Sequence, residues 1–589
     1  MWLLHQPLSR WLVLAVVAGC ALRYFRLAML RPLWCDEAYI AVSLLSRGWS
    51  TLFTPLEYGQ VASFGFLAIS WLGLQILPAG EVALRLPSLV AGIAALVLFP
   101  WAIRPLATRE VRLFATILLA VSIFPVRLAS ELKPYAIDLL FSVVILACAA
   151  RSIRLSTSLS QPLDAARKSR RFWFAALLVV NLLVPWISFP GVFVAGGMII
   201  GLFLLELFPP VPRYAEGVSP LVPVNGLSGI TRILPWKRDE PALRGKRSLI
   251  HAFALGIPLV LSTCLMWHLF GRDAYEHGNQ VMNLKTFWRD AMPANYSPVE
   301  LLRWLAEAHT GAMFAYPVGA EHGASIVTSI AVLLGIWRLA RRQPEVLAIS
   351  LPAFALTAFA ALLQKYPYGG SARVAQHLAP FICLLVGYGT AFILPRWSTH
   401  RRRLCHLAIL LVGFGLVVGQ ADYFVRRPAK DPNDTSLRAT LARIREETPP
   451  DVRLLCAGED FRIEFALHNL GSEQGAKFRA NRLLGEHRVS EGAATPAAAG
   501  VNKAAPHRVL LFSRKHLSEL PAADQEALQA ALPSDGYRLK KTCDLVPSNR
   551  DGLHKGYIFV FDQLPPTPPS EPQSPPNAQT APQIAQGRH

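Results

Sequence analysis

The sequence predicts a mainly α protein: a polytopic membrane bundle of about eleven transmembrane helices with a juxtamembrane segment, followed by a small extracytoplasmic α/β domain. Three observations carry this. Apolar residues make up 52% of the 589 residues and charged residues only 17%, against about 25% charged in an ordinary soluble domain. Mean hydropathy is +0.34. Apolar runs recur along most of the chain at the ~20-residue length a helix needs to cross a bilayer. This composition excludes a disordered chain, a coiled coil and a collagen-like fibre. Lys and Arg number 59 against 39 Asp and Glu, an excess of +20. In a soluble chain that excess would suggest nucleic acid. Here the basic residues sit in short loops between apolar runs, where they set orientation, so no nucleic-acid partner is expected.

The first run, about 8–30, has no small-x-small cleavage site before Arg31-Pro32 and reads as an anchor. Further spans are read at 84–103, 112–128, 136–150, 172–188, 190–208, 248–270, 323–340, 345–363, 374–394 and 404–420. The run 61–77 is short and interrupted by Gly65 and Gly73. Five loops are basic: Arg104 to Arg112, Arg151 to Arg171, the 209–247 loop ending in Arg247, Arg338 to Arg342, and Arg396 to Arg403. The positive-inside rule wants all five cytoplasmic. Eleven spans with the N-terminus inside satisfy it, provided 61–77 lies re-entrant or along the interface. Arg23 and Arg26 then fall near the outer end of the first span, where they can snorkel or pair with an acid.

The outer face then collects 31–83, 129–136, 271–322 and 364–373. The chain divides into a membrane domain over 1–425, an extracytoplasmic α/β domain over 426–562 and a Pro-rich disordered tail over 563–589. Within the second, Leu437–Glu447 reads as helix, and Val509–Phe512 and Tyr557–Phe561 as strands. There is no CxxC among the eight cysteines, so no zinc ribbon or thioredoxin-type site is indicated. Cys456 and Cys543 could pair in an oxidising compartment; two separate thiols fit equally well.

Three outer segments concentrate groups that can do chemistry. The first is Trp34-Cys35-Asp36-Glu37, two adjacent carboxylates at a membrane surface. A helix start with first-turn acids explains them as well as a site does. The second runs from Arg127 to Asp138 and includes Glu131, Lys133, Pro134 and Tyr135. Four ionisable side chains at a membrane boundary are costly unless paired or used; a structural ion-pair network is the alternative. The third is Lys365 to Arg373 with Tyr366 and Tyr368, followed by His377. Arg373 leads into an apolar run and suits a phosphate at headgroup depth, or simply a lipid headgroup. His377 is more simply a packed histidine. Tyr58 and Gln60 precede the 61–77 run, and Arg85 opens the next helix in Arg85-Leu86-Pro87-Ser88.

Taken together, these patterns resemble the GT-C family of polytopic glycosyltransferases. The likeness is to the dolichyl-phosphate-mannose protein mannosyltransferases and aminoarabinose transferases, and to the bacterial RgtA/B/C/D-like branch. It rests on Asp36-Glu37, on Glu131 to Asp138, on Arg85 to Ser88 and on Tyr366 to Arg373, and covers about residues 8–425. The Lys-Pro-Pro of the aminoarabinose transferases is absent; the region reads Tyr58-Gly59-Gln60. Lys133 or Arg373 would have to supply that phosphate contact.

The resemblance implies transfer of a sugar from a polyprenyl-phosphate donor to a glycan, lipid or protein on the outer face of an inner (plasma) membrane. A lipid-linked-sugar transporter or a non-catalytic scaffold is the alternative. Phosphate is already a good leaving group, so the site needs positive charge for the departing anion and one base for the acceptor hydroxyl. Asp36 is the candidate base, with Glu37 orienting it or binding sugar. Lys133 and Arg373 are the candidate phosphate ligands. Glu131, Tyr135, Asp138, Tyr58, Gln60, Arg85 and Tyr368 complete the candidate binding set. One displacement with one base would invert the anomeric centre. A divalent metal between Asp36 and Asp138 fits the pattern without being required by it, and no other cofactor is indicated.

Overall fold

The computed structural model describes residues 7–427, except 46, 57–59, 78–79, 158–162, 209–240, 278–283 and 394–398. Beyond these it describes residue 525 and four strands in 453–457, 508–513, 537–544 and 557–563. The expected helix at 437–447 and the Pro-rich tail lie outside the described residues. So do Tyr58, most of the 209–247 loop and Arg396. The chain forms two compact units, Met1–Thr435 and Ser436–His589.

The first unit is helical. Its elements are α1 (Pro7–Ala28), α2 (Cys35–Leu45), α3 (Phe64–Ile76), α4 (Glu81–Ala102), α5 (Arg109–Val121), α6 (Ile123–Leu128), α7 (Tyr135–Thr157) and α8 (Leu163–Ile187). There follow α9 (Gly191–Leu207), α10 (Pro241–Met266), α11 (Arg272–His277) and α12 (Pro298–Thr310). The last are α13 (Ala324–Arg342), α14 (Pro344–Leu362), α15 (Ala379–Ile393) and α16 (Thr399–Arg426). Six helices among the described residues are long and apolar enough to cross a membrane; they include α1, α4, α7, α13 and α14, and the sixth runs Ser248–Glu276. Large apolar side chains such as Val17, Phe253, Leu261 and Leu333 point outward. In water such a surface would be an aggregation liability; against lipid it is the expected exterior. The chain is a multi-pass membrane protein.

Helix packing follows from small residues at the crossings. A Cβ on Gly389 of α15 would come within 2.0 Å of the Ala331 carbonyl oxygen of α13. One on Gly335 would come within 2.2 Å of the Leu385 carbonyl oxygen. The two backbones therefore touch, as membrane helices do where no hydrophobic drive separates helix from lipid.

One element differs from the sequence reading and another agrees with it. The run 112–128 is not one helix: Ser122 adopts an extended conformation (φ −75°, ψ 132°). Its hydroxyl donates to the Leu118 carbonyl, and the Ile123 N–H turns to the Pro317 carbonyl instead of continuing the helix (2.9 Å). The break re-aims α6 and with it Arg127. The run 61–77 forms α3, thirteen residues long, or roughly 20 Å at ~1.5 Å per residue, short of a ~30 Å hydrocarbon core. Arg23 does not snorkel. It is fully buried and donates to the carbonyls of Gly19, Leu119 and Ala120.

The second unit contains a four-stranded sheet: β1 (Arg453–Ala457), β2 (Arg508–Ser513), β3 (Tyr537–Asp544) and β4 (Tyr557–Gln563). The order is β1-β2-β4-β3, with β1 and β2 parallel and the other pairs antiparallel. Cys456, Phe512, Ile558 and Cys543 lie in one cross-strand row. The two cysteines are therefore three strand spacings apart, roughly 14 Å, while a disulfide needs Cα atoms within about 7 Å. The sheet holds these two backbone positions beyond that reach.

Candidate active site

The site is assembled from three stretches far apart in sequence, all at one end of the bundle. Asp36 and Glu37 occupy the first turn of α2, where the helix dipole favours carboxylates. Being adjacent, their side chains leave the helix about 100° apart, and they have different surroundings.

Glu37 points inward and is fully buried. Arg85 of α4 grips it with both arms of its guanidinium, Nε to Oε1 at 2.8 Å and Nη2 to Oε2 at 2.7 Å. The Leu132 N–H also donates to Oε1 (2.7 Å). Arg85 donates in addition to the carbonyls of Arg31 and Pro32. The pair ties the α1–α2 connection, α4 and the 129–134 turn into one knot. Burial alone would push the Glu37 carboxyl up; the Arg85 guanidinium and the Leu132 N–H overcome that and hold it well below the usual carboxylate range.

Asp36 points to the opening. Its Oδ2 lies 3.2 Å from Arg373 Nη1 and 3.9 Å from Lys133 Nζ. Lys133 also donates to the Gln60 side-chain oxygen at 2.9 Å. The guanidinium of Arg373 rests over the ring of Trp288, 4.9 Å from its centroid. Asp36 and Arg373 keep 28% and 26% of their side-chain surface exposed, while Lys133 keeps 9%. The result is a carboxylate between two cations at a part-open mouth, with the lysine set deeper. Burial lowers the Lys133 ammonium from the ordinary lysine range, with Asp36 opposing the shift.

The other sequence candidates lie around this centre at different depths. Glu131 is buried and pairs with Arg127 Nε at 3.2 Å and Arg31 Nη1 at 4.0 Å, so it holds the turn that presents Lys133. Tyr135 is half-buried and lies among the charges of Arg373, Asp36, Glu131 and Asp138. Asp138 is buried and accepts a hydrogen bond from the Ser188 hydroxyl (2.6 Å). Ser188 in turn accepts from the Gly191 N–H, so this carboxylate fastens α7 to the start of α9. Tyr368 is buried, with its hydroxyl on His309 Nε2 (3.0 Å) and its N–H on the Ala291 carbonyl. It docks the Arg373 loop onto the 284–310 region. His377 meets the Thr357 hydroxyl at 3.1 Å. Among the described residues no three His, Cys, Asp or Glu side chains converge as a metal cage would require, and one oxygen of Asp138 is already engaged by Ser188.

Arg31, Trp288 and Ser188 were not singled out from the sequence. Arg31 had a signal, a cation next to proline where an apolar run ends. Trp288 and Ser188 had none, since only the fold brings them to Arg373 and Asp138.

No family model matches the sequence, and no curated protein sequence does. Solved structures do match. ArnT from Cupriavidus metallidurans in the apo state superposes with a TM-score of 0.51 at 11% identity, covering 94% of this chain and 98% of that one. This chain shares its fold with ArnT. The same protein bound to undecaprenyl phosphate gives 0.49 at 11% identity over 93% and 98% of the two chains. The oligosaccharyltransferase AglB from Archaeoglobus fulgidus, in complex with an inhibitory peptide and a dolichol-phosphate, gives 0.44 at 14% identity over 80% and 64%. The fold likeness to ArnT spans nearly the whole of both chains, and the GT-C-type bundle expected from the sequence is what the structure has.

Proposed function

We propose that the chain is an inverting membrane glycosyltransferase that moves a sugar from a polyprenyl-phosphate donor to a glycan, lipid or protein acceptor. Its N-terminus would be cytoplasmic and its site would open on the outer face of the inner membrane. The observation that carries this is the part-exposed Asp36 carboxylate held between Arg373 and Lys133 at the membrane-surface end of the helices. A donor's tail stays in lipid while its phosphodiester reaches the two cations.

On this reading the acceptor oxygen attacks the anomeric carbon as its proton passes to Asp36 Oδ2. The bond from that carbon to the phosphate oxygen breaks, and the electron pair leaves on the phosphate. Arg373 and Lys133 stabilise that charge as fixed cations already placed where it develops. Glu37 has no oxygen at the mouth, so it acts as a positioning residue through Arg85 and Leu132. Gln60 holds Lys133, and Glu131 and Tyr368 hold the two loops. Among the described carboxylates, a bound divalent metal would find only Asp36 open to it at the mouth; the chemistry above assigns it no step.

The test is mass spectrometry of lipid-linked and surface glycans in cells lacking the protein, complemented with wild type or Asp36→Asn. A glycan missing in the deletion and restored by wild type only is expected. Restoration by Asp36→Asn at equal protein level would refute the assignment of the base.

A further inference from the structure

A second positively charged feature lies on the far side of the 129–134 turn from Asp36. Three arginines, Arg26, Arg31 and Arg127, surround one carboxylate, Glu131. The other buried carboxylate nearby, Glu37, is taken up by Arg85. Arg26 is only 3% exposed. Its Nε and Nη1 have no hydrogen-bond partner among the described residues, and its guanidinium lies over the Phe424 ring at 4.2 Å. Three cations facing one anion at low dielectric is costly unless a further anion joins them.

A groove opens beside this cluster. It holds about 420 Å³ and is lined by Phe124 and Arg127 of α6, Val318 of the following wall, and Gly415, Gly419 and Tyr423 of α16. A Cβ on Gly415 or Gly419 would meet nothing within 4 Å, so the glycines face empty space, not a packed helix. The flanking α16 side chains Leu411, Val412, Phe414 and Val418 are all more than half exposed, which marks this as a lipid-facing surface. Arg127, a quarter exposed, is the one cation among the described residues that line the groove.

We infer that this groove binds an anionic phospholipid, with its phosphate on Arg127 and one acyl chain lying along Gly415 and Gly419. Charge complementarity selects the headgroup, since a net negative lipid offsets the surplus beside Glu131 and a zwitterionic one does not. The turn is then linked to both places: Glu131 pairs with Arg127, which lines the groove, while Lys133, two residues on, faces Asp36. Occupancy would steady the turn that presents Lys133.

Native mass spectrometry of the full-length protein in mild detergent tests this with phosphatidylglycerol, phosphatidylcholine, inorganic phosphate and undecaprenyl phosphate as probes. Wild type should retain phosphatidylglycerol at least tenfold over phosphatidylcholine. Arg127→Gln and, separately, Gly419→Leu should each lower that retention about tenfold. Gly419→Leu fills the groove without touching the charge cluster, so it keeps the test sound if Arg127→Gln folds poorly. Equal retention of the two phospholipids would overturn the proposal. So would unchanged retention in both variants, displacement by millimolar inorganic phosphate, or preferential occupation by undecaprenyl phosphate in a Gly419→Leu-sensitive manner.

Discussion

Arg373 of the loop before α15 closes on Asp36 of α2 at 3.2 Å, across 337 positions of sequence. Neither residue needs the other for folding in the way a buried pair would, because both stay part-exposed and such pairs contribute little to stability, about 0–1 kcal/mol. The proposed function gives their juxtaposition a chemical role. Asp36→Asn keeps the shape and removes the proposed base, so transfer should fall about a hundredfold to ten-thousandfold at unchanged protein level. Arg373→Ala should chiefly raise the donor KM, with Arg373→Lys recovering part of it. A transfer assay with donor titration in membranes, alongside an expression blot, checks both; a loss that tracks protein level instead would assign the pair to folding.

Glu37 and Arg85 behave oppositely. Removing one partner of a buried ion pair strands the other charge, at a cost of about 3–5 kcal/mol. Glu37→Gln should therefore lower thermal stability in detergent far more than Asp36→Asn does. The double variant Glu37→Leu with Arg85→Met should be less damaged than Glu37→Gln alone. The pH sign follows from the lowered Glu37 carboxyl. Its stabilisation is fully present above the ordinary carboxylate value of about 4.3 and is lost as pH falls through the lower folded value. The stability gap between wild type and Glu37→Gln should be constant at neutral pH and shrink in acid; a gap that widens in acid would contradict the pairing.

The contrast between these neighbours shows where the sequence reading stopped. The membrane helices were legible because bilayer thickness fixes their length and water cannot satisfy their backbone. The three charged stretches were legible because ionisable groups at helix ends are costly without partners, and the structure joins Asp36, Lys133 and Arg373. What no local pattern could tell is which of Asp36 and Glu37 turns inward, since that depends on Arg85 arriving 48 positions later. The strand β3 was missed for a local reason: its register shifts between Leu539 and Lys541, and such a bulge breaks the period-two alternation by which strands are recognised.

The proposed phosphate contact of Lys133 predicts an alkaline limit on donor use. Its ammonium is lowered from the ordinary lysine value by burial, whereas a phosphodiester donor keeps its single negative charge throughout this range. As pH rises, Lys133 should lose its proton earlier than a surface lysine, and the donor KM should climb before pH 10.5. Lys133→Arg substitutes a group that stays charged, and should remove that climb even if its neutral-pH KM is poorer. KM measured against pH in proteoliposomes decides this; an identical alkaline limb in both proteins would show that another group titrates.

Trp288 offers the finest test of the mouth, because it touches neither Asp36 nor Lys133 in any contact described above. Its ring underlies the Arg373 guanidinium at 4.9 Å from the centroid. The segments carrying the two are bound together where the Tyr368 N–H donates to the Ala291 carbonyl (3.0 Å). A part-exposed cation–π contact is worth about 0.5–1 kcal/mol. Trp288→Ala should accordingly free Arg373 and raise the donor KM roughly two- to fivefold at constant kcat. Trp288→Phe keeps a ring face and should recover most of the loss. Among the described residues the tryptophan side chain also makes no hydrogen bond that holds the loop, so melting temperature should hardly move in either variant. If Trp288→Ala lowers kcat and melting temperature together while Trp288→Phe rescues neither, the ring is packing the loop, and Arg373 is positioned by Asp36 and its own loop alone.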